Sequence, residues 1–152
     1  MKRRTIPGLQ ILGLVVLSVL LTACPSDNPN DPLRKHAKAA DNMAGSINSM
    51  IKAKRSLASQ GRITPAEDLK LTRALLVSNE AVTVFHQRVK SLTTTPDAST
   101  KAELRSMLNN VTSAIDDLNN QGVLGVTNGE SKQKLARFIG TIKAAIAIFS
   151  TI

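Results

Sequence analysis

The chain has 152 residues, 42% of them hydrophobic, with 20 Lys and Arg against 11 Asp and Glu for a net charge of +9. It contains no Trp, no Tyr and three Phe, so it lacks the aromatic platforms on which single-strand binders stack bases, and it carries no helix-turn-helix, zinc-finger or RRM signature. Nucleic acid is therefore not an expected partner, and the single cysteine, Cys24, leaves no second thiol for a wrong disulfide in an oxidising compartment.

At the amino terminus, Lys2, Arg3 and Arg4 precede an apolar run at 11–21 broken by Gly13 and Ser18, and the small residues Thr22 and Ala23 follow. This order is that of a secretory signal peptide. A run of about 11 residues is shorter than the roughly 20 needed to cross a hydrocarbon core. Extending it back to Thr5 takes in Pro7 and Gln10, so a permanent spanning helix is the poorer reading.

The string Leu21-Thr22-Ala23-Cys24 resembles the lipobox of bacterial lipoproteins: an aliphatic residue, two small residues and a cysteine. The resemblance implies cleavage before Cys24, a diacylglyceryl group on its sulfur, and in many bacteria acylation of its new amino group. It thus implies a membrane partner held through lipid on Cys24 and a place in the bacterial cell envelope. In enteric bacteria that family keeps lipoproteins with Asp after the cysteine in the inner membrane; Pro25 leans instead toward the outer membrane, facing the periplasm. Two or more acyl chains suffice for stable anchoring without a spanning helix. The alternative, a buried unmodified cysteine, sits poorly beside the polar, proline-rich residues 25–32.

Loss of residues 1–23 would take Lys2, Arg3 and Arg4 with it, leaving 17 basic against 11 acidic side chains and a net charge of +6. Such a surface suits an envelope protein or an anionic envelope polymer as partner through long-range attraction; an ordinary solvated surface explains it equally well. Residues 24–31 read as the lipidated cysteine and a flexible tether, because Pro, Asn, Asp and Ser bury no apolar area. Asp31 and Pro32 then look like an N-cap and first helical residue. About 120 residues follow, enough for one domain.

Apolar residues recur at helical spacing in four blocks, expected as helices at about 32–60, 65–94, 100–121 and 128–151. In the first, Leu33, Ala37, Ala40, Ala44, Ile47, Ile51 and Ala58 form a stripe, with Met43, Met50 and Leu57 beside it, and Gln60-Gly61 is a stop signal. Thr64-Pro65-Ala66-Glu67 is a capping box, and Leu71, Leu75, Val82, Phe85, Val89 and Leu92 form the second stripe. Thr100–Glu103 predicts another capping box, before Leu104, Leu108, Val111, Ile115 and Leu118. Gln121-Gly122 predicts a Schellman ending with Val123 against Leu118. Thr127–Glu130 predicts a third box, and the last stripe is Leu135, Phe138, Ile139, Ile142, Ala145, Ile146 and Phe149, with Ile148 off it. The motif L-x-x-Q-G-x-[I/L] occurs at both 57–63 and 118–124, each at a hairpin turn. No segment alternates with period two over a strand's length. The expected fold is all-α, an antiparallel up-down four-helix bundle after the signal peptide and tether.

No catalytic or metal site is nominated. His36 and His86, with no carboxylate at i±4, read as exposed helical histidines. In the pairs Glu67-Asp68 and Asp116-Asp117, adjacent residues diverge by about 100° on a helix instead of converging on a substrate. Asp117–Asn128 begins like a calcium loop but has Asn128 where a bidentate Glu belongs. Lys132, Lys134, Arg137 and Lys143 lie outside the last stripe, which is expected to complete the core in preference to lying on a membrane. The expected function is a lipid-anchored, non-catalytic envelope protein, an interaction or structural module without cofactor and not an enzyme. The alternative is a bundle that binds a small apolar ligand or lipid between its helices. A filled core with an exposed apolar patch favours the first, an internal cavity the second.

Overall fold

The computed structural model describes residues 31–151. Residues 1–30 and 152 lie outside it, and with them the leader, Leu21, Thr22, Ala23, Cys24 and most of the tether. Four helices make up the fold: α1 (Pro32–Ser59), α2 (Pro65–Lys90), α3 (Ala98–Asp117) and α4 (Gly129–Ile148). A π-helical turn, Leu118–Val123, prolongs α3, and a 3-10 turn, Phe149–Thr151, closes α4. There is no strand among the described residues, and no helix there is long and apolar enough to cross a membrane.

Cross-helix contacts define an antiparallel bundle. Asp41 near the start of α1 meets His86 near the end of α2, whereas Lys54 near the end of α1 meets Asp68 at the start of α2. Arg88 meets Glu103 in the same sense between α2 and α3, and His36 and Phe149 pair α1 with the end of α4. Burial follows the predicted stripes. Met43, Ile47, Met50, Leu71, Phe85, Leu104, Ile115, Leu118, Leu135 and Ile142 are fully enclosed. On α1 the buried line is shifted from the expected one: Met43, Met50 and Leu57 lie at its centre, while Ala44, Ile51 and Ala58 are only partly covered. Wedged between α2 and α4, α1 turns its larger side chains inward, where they displace more water and make more contacts.

Local signals succeed where the chain turns sharply. Asp31 caps α1 through the Leu33 N–H, with Pro32 in the first turn, and both halves of the Thr64–Glu67 capping box form. Gly61 adopts φ 66°, and the Gly61 and Arg62 N–H groups donate to the Ala58 and Leu57 carbonyls, a Schellman ending.

Other ends differ from expectation. α2 stops at Lys90, with Ser91 as its cap, instead of running to 94. α3 begins earlier than predicted because the Asp97 carboxylate, not Thr100, is the cap; it accepts the Thr100 N–H at 2.7 Å, and a carboxylate is a stronger acceptor than a hydroxyl. α4 is capped by Asn128, which accepts from the Ser131 N–H, in place of Thr127.

The largest departure is at Gln121-Gly122. No left-handed glycine ends the helix there. The chain widens into the π turn, with the Leu124 N–H donating to the Asn119 carbonyl at 2.8 Å. Gly122 lies against α2, where an added Cβ would stand 3.1 Å from Leu71 Cδ2, so this glycine permits close helix approach and not a reversal of the chain. The two copies of L-x-x-Q-G-x-[I/L] therefore have different geometries.

Candidate interaction surface

α2 carries apolar residues on two opposite faces. At 100° per residue, Leu71, Leu75, Ser78, Val82, Phe85 and Val89 cluster on the core side. Leu69, Leu76, Val77 and Val84 fall within an arc of roughly 100° centred opposite that side. They are 51%, 65%, 60% and 48% exposed, so half or more of most of these side chains stands in water. Arg73 and Glu80 occupy the middle of the same arc, both exposed. Neither has an ion-pair partner among the described residues. They are seven residues apart, beyond the three- and four-residue spacings at which helical side chains meet.

Beside the stripe, an open groove of about 640 Å³ runs between α2 and the α3–π-turn segment. Arg73, Ala74 and Val77 form one wall, and Ala114, Asp117 and Gln121 the other. Ser78 beneath it is buried and donates its hydroxyl proton to the Ala114 carbonyl at 2.9 Å, fixing α2 against α3. The groove faces solvent and does not lie between the four helices.

This face is absent from the four stripes expected from residue order. Those stripes gather the apolar residues that share one arc and leave Leu69, Leu76, Val77 and Val84 unassigned. Their own spacing of seven, one and seven residues is the signal that points to them.

Both histidines differ from the exposed reading. His36 is half-buried and stacks on Phe149, ring centroids 5.0 Å apart; burial lowers its pKa, opposed by a hydrogen bond to the Ile148 carbonyl. His86 Nε2 lies 2.7 Å from Asp41 Oδ1 on α1, a partner 45 residues away that a search at i±4 does not reach. Asp41 has its pKa lowered, chiefly by that hydrogen bond.

The acidic pairs are structural. Glu67 caps α2, Asp68 pairs with Lys54 at 2.8 Å, and Asp116 pairs with Lys143 at 2.7 Å. Gln121 in the π turn donates to Asp117 at the end of α3, so the first half of the calcium-like segment is helix, and no cluster of three or more His, Cys, Asp or Glu that could hold a metal occurs among the described residues. On α4, Leu135, Ile139, Ile142 and Ala145 enter the core, and Lys132, Lys134, Arg137 and Lys143 lie off that buried line. Comparison with protein-family models, with characterised proteins and with solved structures finds no match.

Proposed function

We propose that this chain is a lipid-anchored helical protein of the bacterial cell envelope, whose bundle is a non-catalytic interaction module that engages its partner through the outer face of α2. The observation that carries this reading is the apolar stripe Leu69, Leu76, Val77 and Val84, set opposite a core already filled by side chains such as Phe85 and Met43. Large apolar side chains exposed on one helix face cost solubility, and apolar surface interspersed with charge in this way suits a protein contact site. The lipobox-like string ending at Cys24 supports the anchor, and residues 25–31 supply a polar spacer between lipid and bundle. The competing reading, an apolar ligand between the helices, has less support, since large side chains occupy the central layers and the groove opens at the surface.

The test uses the full chain expressed in bacteria. Native protein should fractionate with membranes and incorporate palmitate, and Cys24→Ala should do neither. Crosslinked partners recovered from those membranes should be lost with Leu76→Glu while the helical circular-dichroism spectrum is unchanged. Normal palmitate incorporation by Cys24→Ala would sink the anchor, and unaltered crosslinking of Leu76→Glu would sink the surface.

A further inference from the structure

We propose that the occupant of the outer face of α2 is a second copy of this chain, paired through antiparallel α2 helices about a two-fold axis between Leu76 and Val77. This rests on the reading of that face as the binding surface and names its partner.

The argument is the order of residues along the stripe. Measured from the midpoint between Leu76 and Val77, Leu69 and Val84 are equally far in opposite directions, and so are Arg73 and Glu80. At 1.5 Å per residue these offsets are roughly 11 Å and 5 Å. A closed two-fold contact requires that residue i meet residue j while j meets i. Turning a second α2 end for end about the midpoint satisfies this with matched chemistry. At the level of the axis Leu76 meets Leu76 of the second copy on one side of the contact line and Val77 meets Val77 on the other; between these flanks Arg73 reaches the height of Glu80 of the second copy, and Leu69 reaches that of Val84. Each charged pair forms twice.

The other arrangements of this face are poorer. Parallel α2 helices would set Arg73 against Arg73 and Glu80 against Glu80, like charges in direct opposition. A lipid surface would have to take up Glu80 in the middle of the apolar arc, against the negative potential of anionic headgroups. Self-pairing is the arrangement that also supplies partners for Arg73 and Glu80, two exposed charges without an ion pair among the described residues. One helix face per copy places the contact at the small end of the interface range, where association is weak and strongly affected by charge complementarity.

The experiment is thiol crosslinking of the full chain in the membranes of expressing cells. Val77→Cys sits beside the axis and should give an oxidised dimer, whereas Gln133→Cys, exposed on α4, should not. In the Val77→Cys background, Arg73→Glu or Glu80→Arg alone should lower the dimer yield at least about five-fold, because each sets like charges face to face twice. The double exchange Arg73→Glu with Glu80→Arg should restore the yield to within about two-fold, since it returns opposite charges to the same heights. All positions are exposed, so circular dichroism should show the native helix content throughout. A Val77→Cys yield no greater than that of Gln133→Cys, or failure of the double exchange to restore what the single ones remove, overturns the proposal. If self-crosslinking is absent while Leu76→Glu still abolishes capture of another envelope component, the second copy is the wrong occupant and the α2 surface stands. If Leu76→Glu changes neither, both fall.

Discussion

Glu67 is joined to Thr127 by two hydrogen bonds: its Oε1 accepts both the backbone N–H at 2.7 Å and the hydroxyl at 2.8 Å of a residue 60 positions later. Its other oxygen accepts the Thr64 N–H at 2.6 Å, so one carboxylate caps α2 and ties the loop before α4 to the same end of the bundle. The backbone donors of Thr64 and then Thr127 lower its pKa from 4.5 to about 2. Such a group contributes stability that is fully present above its unfolded pKa and is lost as pH falls from about 4.5 through about 2. Glu67→Ala should cost about 1 kcal/mol at pH 7, the usual worth of a cap at a solvated site, and the cost should shrink toward zero at pH 2. Urea denaturation at the two pH values measures both.

His36 has a lowered pKa because the fold buries its ring against Phe149. The unfolded chain then binds more protons than the native one in the interval below pH 6.5, so stability attributed to this residue is present above pH 6.5 and falls as pH drops through that interval. Thermal melts at pH 7 and pH 5 should show a larger loss for the native chain than for His36→Phe, which keeps an aromatic partner for Phe149 without a titrating ring.

Gly45 and Gly140 stand in the interiors of α1 and α4, exposed, with nothing within 4 Å of the point where an alanine methyl would stand. Replacing either with Ala should stabilise the protein by about 0.5–1 kcal/mol through the smaller backbone entropy of the unfolded chain. The two gains should add, and urea denaturation should show a shifted midpoint with an unchanged slope.

Gly122 should respond in the opposite sense. A Cβ there meets Leu71 Cδ2 at 3.1 Å and Leu118 Cδ1 at 3.4 Å, both ends of flexible side chains. Gly122→Ala should be tolerated to within about 1 kcal/mol, whereas Gly122→Val should cost about 1–3 kcal/mol by pushing α2 away from the π turn. Equilibrium denaturation of the pair separates the two effects.

What could be read from residue order alone depends on neighbours in the chain. The Thr64–Glu67 cap, the Gly61 turn and the four apolar stripes are of this kind. Two of the misses are local, the Asp97 and Asn128 caps that displace the neighbouring threonines, and others depend on a second helix. Gln121-Gly122 has the same local chemistry as Gln60-Gly61, and it is the approach of α2 at Leu71 that sets it apart. His86 reads as a lone histidine until α1 places Asp41 beside it. The outer stripe of α2 was hidden for another reason: two apolar faces on one helix weaken the contrast by which either is recognised. Cys24 and its neighbours rest on residue order throughout.

The π turn also bears on how the chain tolerates changes of length. Leu118 and Val123 are both fully buried although five residues apart, a spacing that would place them about 140° from each other on an α-helix. The wider i→i+5 turn accommodates the extra residue and keeps both on the core side. Deleting Asn120, an exposed member of the turn, would leave these two side chains four apart, the spacing at which an ordinary α-helical turn keeps them on one face. In the middle of α1, α2 or α4 the same deletion would rotate half an apolar face away from the core. This short segment is therefore where the bundle can lose a residue and keep its packing, and a folded Asn120 deletion variant with native helix content is the expected result.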